Sequence, residues 1–252
     1  MLEKKHFGLL GKTLNHSLSK TYFEKEYPTL YHNPAEYLNY ELQNLDNLHS
    51  LILSQHLDGL NITIPFKEQI LPLLTHLSPE AKIIEAVNCV KITQIQNQLI
   101  LKGFNTDALA FETSILPLLK NHRNALIFGT GGAAKAVNYA LQKHKVHTTF
   151  VSRSKTSPNT IKYNDLTPQI LHHNTLIINA TPVGTLGFAT EELPIDFSLL
   201  NSSHLCYDLV YNPGTTPFLQ HAKNQSCTTK NGLEMLHLQA LKSWEIWNNG
   251  NL

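Results

Sequence analysis

One segment constrains this chain more than any other: Ala125-Leu-Ile-Phe-Gly129-Thr130-Gly131-Gly132-Ala133-Ala134. An apolar run of strand length enters G-x-G-x-x-A, and a helical pattern follows over 133–143. In such a turn Gly129 permits the tight bend and Gly131 lets the backbone approach a pyrophosphate. The small Ala134 lets the helix pack closely on the strand. The helix N-terminus offers free N–H groups and partial positive charge to a phosphate. Only 12 of the 252 residues are glycine, yet three stand within four positions here, and Gly184 and Gly187 form a second cluster. A chain sparing with glycine keeps it where the backbone needs it. The strand–turn–helix context points to a doubly wound nucleotide-binding unit. An ordinary glycine-rich βα turn is the plainer alternative.

The next strand, over 148–151, bears on which dinucleotide suits the turn. An NAD site places Asp or Glu near its end, about 20 residues on, to bind the ribose 2′-hydroxyl. Here the chain reads Ser152-Arg153-Ser154-Lys155, with no acid. A guanidinium with neighbouring hydroxyls suits a 2′-phosphate, so NADP is the expected cofactor. A solvated surface arginine is the alternative.

Two α/β series surround this turn. The first has strands over 6–10, 37–42 and 58–64, the last closed by Pro65. Its helices cover 17–27, capped by Ser17 or Ser19, and 45–54, with another starting at Ser78-Pro79-Glu80. A hairpin of 87–92 and 99–104 turns around Gln96-Asn97. The second series has helices over 108–120, 133–143, 216–224 and 233–247, with strands over 124–128, 148–151, 175–179, 205–208 and 227–230. The expected class is α/β: an N-terminal α/β substrate domain with a mainly parallel sheet, and a Rossmann-type doubly wound domain, with a cleft between them. The expected division is 1–106 joined by the C-terminal helix 233–252, and 107–232. Two domains around a cleft lead us to expect closure on cofactor binding.

Composition removes several classes. Apolar residues make up 42% and the net charge is +1, which excludes a disordered chain. Lys plus Arg number 20 and Asp plus Glu 19 with no basic block, so neither nucleic acid nor a membrane surface is an expected partner. The 14 histidines are scattered without HExxH or HxxEH spacing, and the pair His172-His173 reads as a surface loop. Cys89, Cys206 and Cys227 are odd in number and far apart. They fit neither a disulfide framework nor a CxxC metal site, and point to a reducing compartment. No apolar run approaches ~20 residues and no signal-peptide core begins the chain. We expect a soluble cytoplasmic protein without a metal, acting on a small molecule, as a monomer or homodimer.

Further segments carry a joint resemblance. They are Gly11-Lys-Thr-Leu-Asn-His16-Ser17-Leu-Ser19, Asn61-Ile-Thr63-Ile-Pro65-Phe-Lys67, Ala86-Val-Asn88, Asn105-Thr-Asp107, the glycine turn, Asn179-Ala-Thr-Pro-Val-Gly184, Asp208-Leu-Val-Tyr211-Asn-Pro and Gly232-Leu-Glu-Met235-Leu-His-Leu-Gln239-Ala. In order and approximate spacing, from residue 8 to about 247, the chain resembles the shikimate dehydrogenase family. The resemblance implies reversible reduction of 3-dehydroshikimate to shikimate, on the route to aromatic amino acids. It implies that Ser17 and Ser19 bind the substrate carboxylate. Thr63, Asn88, Tyr211 and Gln239 then hydrogen-bond ring hydroxyls or the carboxylate, and Lys67 and Asp107 flank the reacting C3 oxygen. Gly129, Thr130, Gly131, Gly132, Ala133, Ser152, Arg153, Ser154 and Lys155 hold NADP, with Val210, Gly232 and Met235 near the nicotinamide. The C-terminal helix is implied to return to the N-terminal domain, bringing Gln239 to the substrate. The chain departs from the family in four places, and at one of them Pro79, followed by Glu80, stands where an acidic residue often follows the lysine by about twelve positions. Glu85 stands where a glycine commonly precedes Ala-Val-Asn, Thr130 replaces alanine, and Ser152-Arg153-Ser154 replaces Asn-Arg-Thr.

The residue chemistry is consistent with those roles. Hydride reduction of a ketone leaves negative charge on oxygen, which an acid must protonate. A lysine ammonium can give that proton, and Asp107 can hold the lysine head. Taken singly, Lys67 is a surface lysine, Asp107 a helix N-cap, the 179–184 stretch a simple turn and Gln239 a surface glutamine. Two further readings are an NAD-linked quinate/shikimate dehydrogenase, against which Arg153 and Lys155 speak, and a catalytically silent binder, which has no need of Lys67 and Asp107.

Overall fold

The computed structural model describes residues 4–14, 17–30, 34–96, 98–154, 158–185 and 192–248, with the side chains of 27–30 left aside. The chain forms two compact units, one of residues 1–106 with 237–252 and one of residues 107–236.

The first unit contains β1 (Lys5–Gly11), α1 (Ser19–Leu30), β2 (Ala35–Glu41), α2 (Leu48–Ser54), β3 (Gly59–Ile62), α3 (Phe66–Gln69), β4 (His76–Leu77), α4 (Pro79–Ile84), β5 (Cys89–Ile95) and β6 (Gln98–Phe104). Its sheet runs β2-β1-β3-β5-β6-β4. β1 lies parallel to β2 and β3, β5 is antiparallel to β3 and β6, and β4 is parallel to β6. Only β5 therefore opposes the common direction, so the sheet is mainly parallel, as expected. Side chains alternate across a strand, and two buried clusters result. Leu10, Leu60, Ile62 and Val90 pack with Leu48 and Phe66. Phe7, Leu9 and Cys89 pack with Phe23, Tyr37, Trp244 and Trp247. Trp247 stacks on Phe7 at 4.6 Å and its indole N–H donates to Val90 O at 3.0 Å. A Cβ on Gly59 would lie 2.3 Å from that indole, so only glycine lets the tryptophan lie against β3.

Local chemistry sets the ends of α4. Pro79 occupies its first turn and Ser78 Oγ accepts from Ala81 N at 3.2 Å. Glu85 closes the helix in the left-handed region, φ 57 and ψ 36. That conformation favours glycine, yet Glu85 holds it here.

The second unit contains α5 (Asp107–Leu119), β7 (Asn124–Phe128), α6 (Gly132–Lys143), β8 (His147–Ser152), β9 (Thr160–Lys162), α7 (Pro168–His173), β10 (Leu176–Asn179), β11 (Leu205–Asp208), α8 (Pro217–Asn224), β12 (Thr228–Lys230) and the start of α9 (Leu233–Asn248), which continues into the first unit. The sheet runs β12-β11-β10-β7-β8-β9 and every pair is parallel. Counted from β7, this is the 3-2-1-4-5-6 order of the Rossmann fold. Residues 125–128, 176–179 and 205–208 are buried without interruption, as strands covered on both faces must be.

Several elements differ from the sequence expectation. α1 begins at Ser19 and runs to Leu30, so the helix is later and longer than 17–27. α3, β4, β9 and α7 are short elements that periodicity does not reveal. His172 and His173 are exposed but close α7, so they are helical and not in a loop. The three cysteines are free and buried. Among the described residues no helix is long and apolar enough to cross a membrane.

Candidate active site

β7 ends at Phe128, and the chain turns at Gly129 with φ +104. The backbone angle there favours glycine, and a Cβ would crowd Ala180 O at 3.1 Å. Gly129 N donates to Val151 O at 2.9 Å, tying the turn to β8. Gly131 caps α6 without a side-chain hydrogen bond, leaving first-turn N–H groups for an anion. Thr130 and Ala133 are half-buried, Gly131 is exposed, and Gly132 and Ala134 are buried against the sheet. The turn leaves the sheet between β7 and β10, where strand order reverses and open α/β sheets bind ligands.

Beside it, β8 closes at Ser152, and Arg153 and Ser154 are exposed. Ser152 Oγ donates to Ser154 O. No carboxylate stands at Ser152, Arg153 or Ser154. Lys155 lies outside the described residues, as do Asn15, His16 and Gly187.

The ends of β10 and β11 form a buried polar cluster. Asn179 and Asp208 are register partners on these parallel strands. Asn179 Nδ2 donates to Asp208 Oδ1 at 2.9 Å and to Val183 O at 3.0 Å. Asn179 Oδ1 accepts from Thr181 N and Oγ1 at 3.0 and 2.6 Å. Val210 N donates to Asp208 Oδ1 at 3.0 Å, and Gly232 N to Val210 O at 3.1 Å. A Cβ on Gly232 would lie 2.1 Å from Leu209 O, so that approach also needs glycine. Met235 is buried one turn into α9, and Tyr211 is half-buried.

In the first unit, Ser17 Oγ accepts from Ser19 N at 3.2 Å, and Ser19 is buried at the start of α1. A cavity of about 520 Å³ opens beside Ser17, lined by Leu14, Lys20, Thr21, Asn39 and Glu41. Glu41 Oε1 accepts from Leu14 N at 2.7 Å and so holds the loop leading to Ser17. Thr63 N donates to Leu10 O, and Thr63 O accepts from Phe66 N, both at 2.9 Å. That turn presents Lys67 on α3, whose carbonyl accepts from Val87 N at 2.8 Å. Asn88 grips Thr106 twice: Oδ1 accepts from its N at 2.7 Å and Nδ2 donates to its Oγ1 at 2.8 Å. Asn88 thereby fixes the residue before Asp107, which opens α5 as a buried acid where the helix dipole favours one. Gln239 is half-buried on α9, and its carbonyl accepts from Ser243 Oγ at 2.9 Å. Ser243 Oγ accepts in turn from Asn61 Nδ2 at 2.8 Å.

The structure thus brings together Ser17 with Ser19, Thr63 with Lys67, Asn88 with the approach to Asp107, and Val210 with Gly232. Lys67 belongs to the first unit and Asp107 to the second. Sequence reasoning assigned no role to Asp208, Thr216 or Glu41. Thr216-Pro217 is a legible helix start; the Asp208 and Glu41 contacts carry no local signal.

An all-parallel sheet in Rossmann order, a glycine turn at its reversal point and a second α/β unit define a two-unit Rossmann-type protein. The description "Shikimate dehydrogenase substrate binding domain" matches residues 9–90. A relative from Prochlorococcus marinus, named "Shikimate dehydrogenase (NADP(+))", is 32% identical over 271 residues, covering 96% of this chain and 91% of the relative. The solved shikimate dehydrogenase 1 of Peptoclostridium difficile is 33% identical with a TM-score of 0.83, covering 98% of this chain and 93% of that one. Shikimate 5-dehydrogenase from Thermus thermophilus, solved with NADP(H) and shikimate, is 29% identical with a TM-score of 0.81, covering 97% and 93%. The chain belongs to the shikimate dehydrogenase family.

Proposed function

We propose that this protein catalyses the reversible NADP-linked reduction of 3-dehydroshikimate to shikimate, in the synthesis of aromatic amino acids. The reading is carried by one observation: a member of this family retains both Lys67 and Asp107 in their motifs. A binder that had lost the chemistry would have no use for the pair.

The second unit suits NADP. The first-turn N–H groups of α6, without a side-chain cap, suit a pyrophosphate, and the exposed Arg153 suits a 2′-phosphate. Gly129, Thr130, Gly131, Gly132 and Ala133 with Ser152, Arg153, Ser154 and Lys155 hold the cofactor, and Val210, Gly232 and Met235 border its nicotinamide. When bound, NADPH supplies the hydride.

The remaining steps belong to side chains of this chain. Ser17 and Ser19 bind the substrate carboxylate, and Thr63, Tyr211 and Gln239 hydrogen-bond the ring hydroxyls or the carboxylate. Asn88 joins them and also steadies Thr106. Lys67 Nζ donates a proton to the C3 oxygen as negative charge develops there, and takes it back in the oxidative direction. Asp107 is the acid whose role is to hold that ammonium.

The test is an assay of the purified protein for NADP⁺ reduction with shikimate, run in parallel with quinate and with NAD⁺. Turnover greatest with shikimate and NADP⁺ is expected. Preference for quinate with NAD⁺ would reassign the substrate, and no turnover in any arm would leave a binding protein.

A further inference from the structure

The second unit holds a carboxyl group that the proposed chemistry does not use. Asp208 is fully buried at the carboxyl end of β11, and the donors that reach it are neutral. Thr216 Oγ1 donates to Oδ2 at 2.5 Å, Val210 N to Oδ1 at 3.0 Å, and Asn179 Nδ2 to Oδ1 at 2.9 Å. Burial pushes its pKa up to about 7, against the pull of those three donors. Burying a charged carboxyl is costly unless it is paired or hydrogen-bonded, and here three donors from separate segments meet it.

Each donor belongs to a different segment. Asn179 begins the turn through Gly184 and holds that turn through Thr181 and Val183. Val210 lies in the loop after β11, and its carbonyl accepts from Gly232 just before α9. Thr216 caps α8, its Oγ1 accepting from Leu219 N at 3.3 Å. We infer that Asp208 is a positioning residue whose carboxyl joins the 179–184 turn, the Val210–Tyr211 segment and the start of α8, and so sets where Val210 and Tyr211 stand for cofactor and substrate. This rests on the NADP-linked reading above. Oδ1 is the central atom, because two segments share it as acceptor. Without it Val210 N and Asn179 Nδ2 lose their common anchor, and the two loops can move apart.

The test uses the full chain with Asp208→Ala and Asp208→Asn. Asparagine keeps an oxygen where Oδ1 stands and turns its amide toward Thr216, so it retains the joint that alanine removes. Amide hydrogen exchange is measured without ligand at Thr181, Val183 and Val210, with Leu126 and Ile178 as interior references. The NADPH dissociation constant is measured by titration, and KM for NADP⁺ and shikimate is compared with kcat. Asp208→Ala is expected to speed exchange at the three loop amides at least tenfold, with the references unchanged. It should weaken NADPH binding at least tenfold, raising KM more than it lowers kcat. Asp208→Asn is expected to restore all of these to within about threefold of wild type.

Wild-type exchange and NADPH binding in Asp208→Ala would overturn the inference. So would an asparagine variant as impaired as the alanine one. If Asp208→Ala does not fold, Asp208→Asn decides: near-native loop exchange and binding support the joint, and a tenfold loss in a folded protein overturns it. Failure of the wild type to turn over shikimate would sink the catalytic reading alone, because loop exchange reports on the joint without substrate or cofactor.

Discussion

Replacing Asp208 by asparagine should change how stability depends on pH. In the fold the carboxyl titrates at about 7, against an ordinary value of 3.8. Between those values the native protein keeps a proton that the unfolded chain releases. The stabilisation is therefore complete below the unfolded value and disappears as pH rises through about 7. This is the reverse of a salt-bridged aspartate. Each pH unit in that window is worth about 1.4 kcal/mol, so wild type loses about 3 kcal/mol between pH 5 and pH 8 from this group. Asp208→Asn has no such proton. The variant's stability relative to wild type should rise by about 3 kcal/mol over that interval, or roughly 6 °C in Tm at about 2 °C per kcal/mol for a chain of this size. Urea and thermal unfolding of both proteins at pH 5, 6, 7 and 8 provide the assay. Taking the difference at each pH cancels the histidines and other carboxylates that both proteins share. A difference that stays level, or falls, as pH rises would refute the claim that burial outweighs the three donors.

Other outcomes follow from the site and the fold. Lys67→Ala should lower kcat by about 10²–10⁴ with a much smaller change in shikimate KM, seen in steady-state kinetics; a KM effect alone would make Lys67 a binding residue only. Arg153→Ala should raise the NADPH KM far more than the NADH KM, and an equal effect on both would remove the 2′-phosphate assignment. Trp247→Ala removes the indole that stacks on Phe7 and bonds Val90 O, and should destabilise the fold by about 3–5 kcal/mol in urea unfolding. Glu85→Gly relieves the left-handed backbone at φ 57 and should stabilise by about 1 kcal/mol, with unchanged turnover.

Much of this protein is legible in its sequence, for a physical reason: its strongest signals are local. β7 and β11 coincide with their expected spans because a strand covered on both faces is an uninterrupted apolar run. Gly129 is dictated by its own backbone angle, and α4 and α8 start where Ser78-Pro79 and Thr216-Pro217 announce a cap. The family motifs lie along the chain in order, so membership did not wait for packing. Tertiary structure alone decided the rest, because those features depend on groups far apart in sequence. β9 is three residues long and forms by pairing with β8, with Phe150 N donating to Asn159 O at 2.9 Å. Trp247 lies against Gly59 from the other end of the chain. Glu41 holds Leu14 from the neighbouring strand, and Asp208 gathers Asn179, Val210 and Thr216 only because β10 and β11 run side by side. Residue types declare what a position can do, and long-range packing chooses its partners.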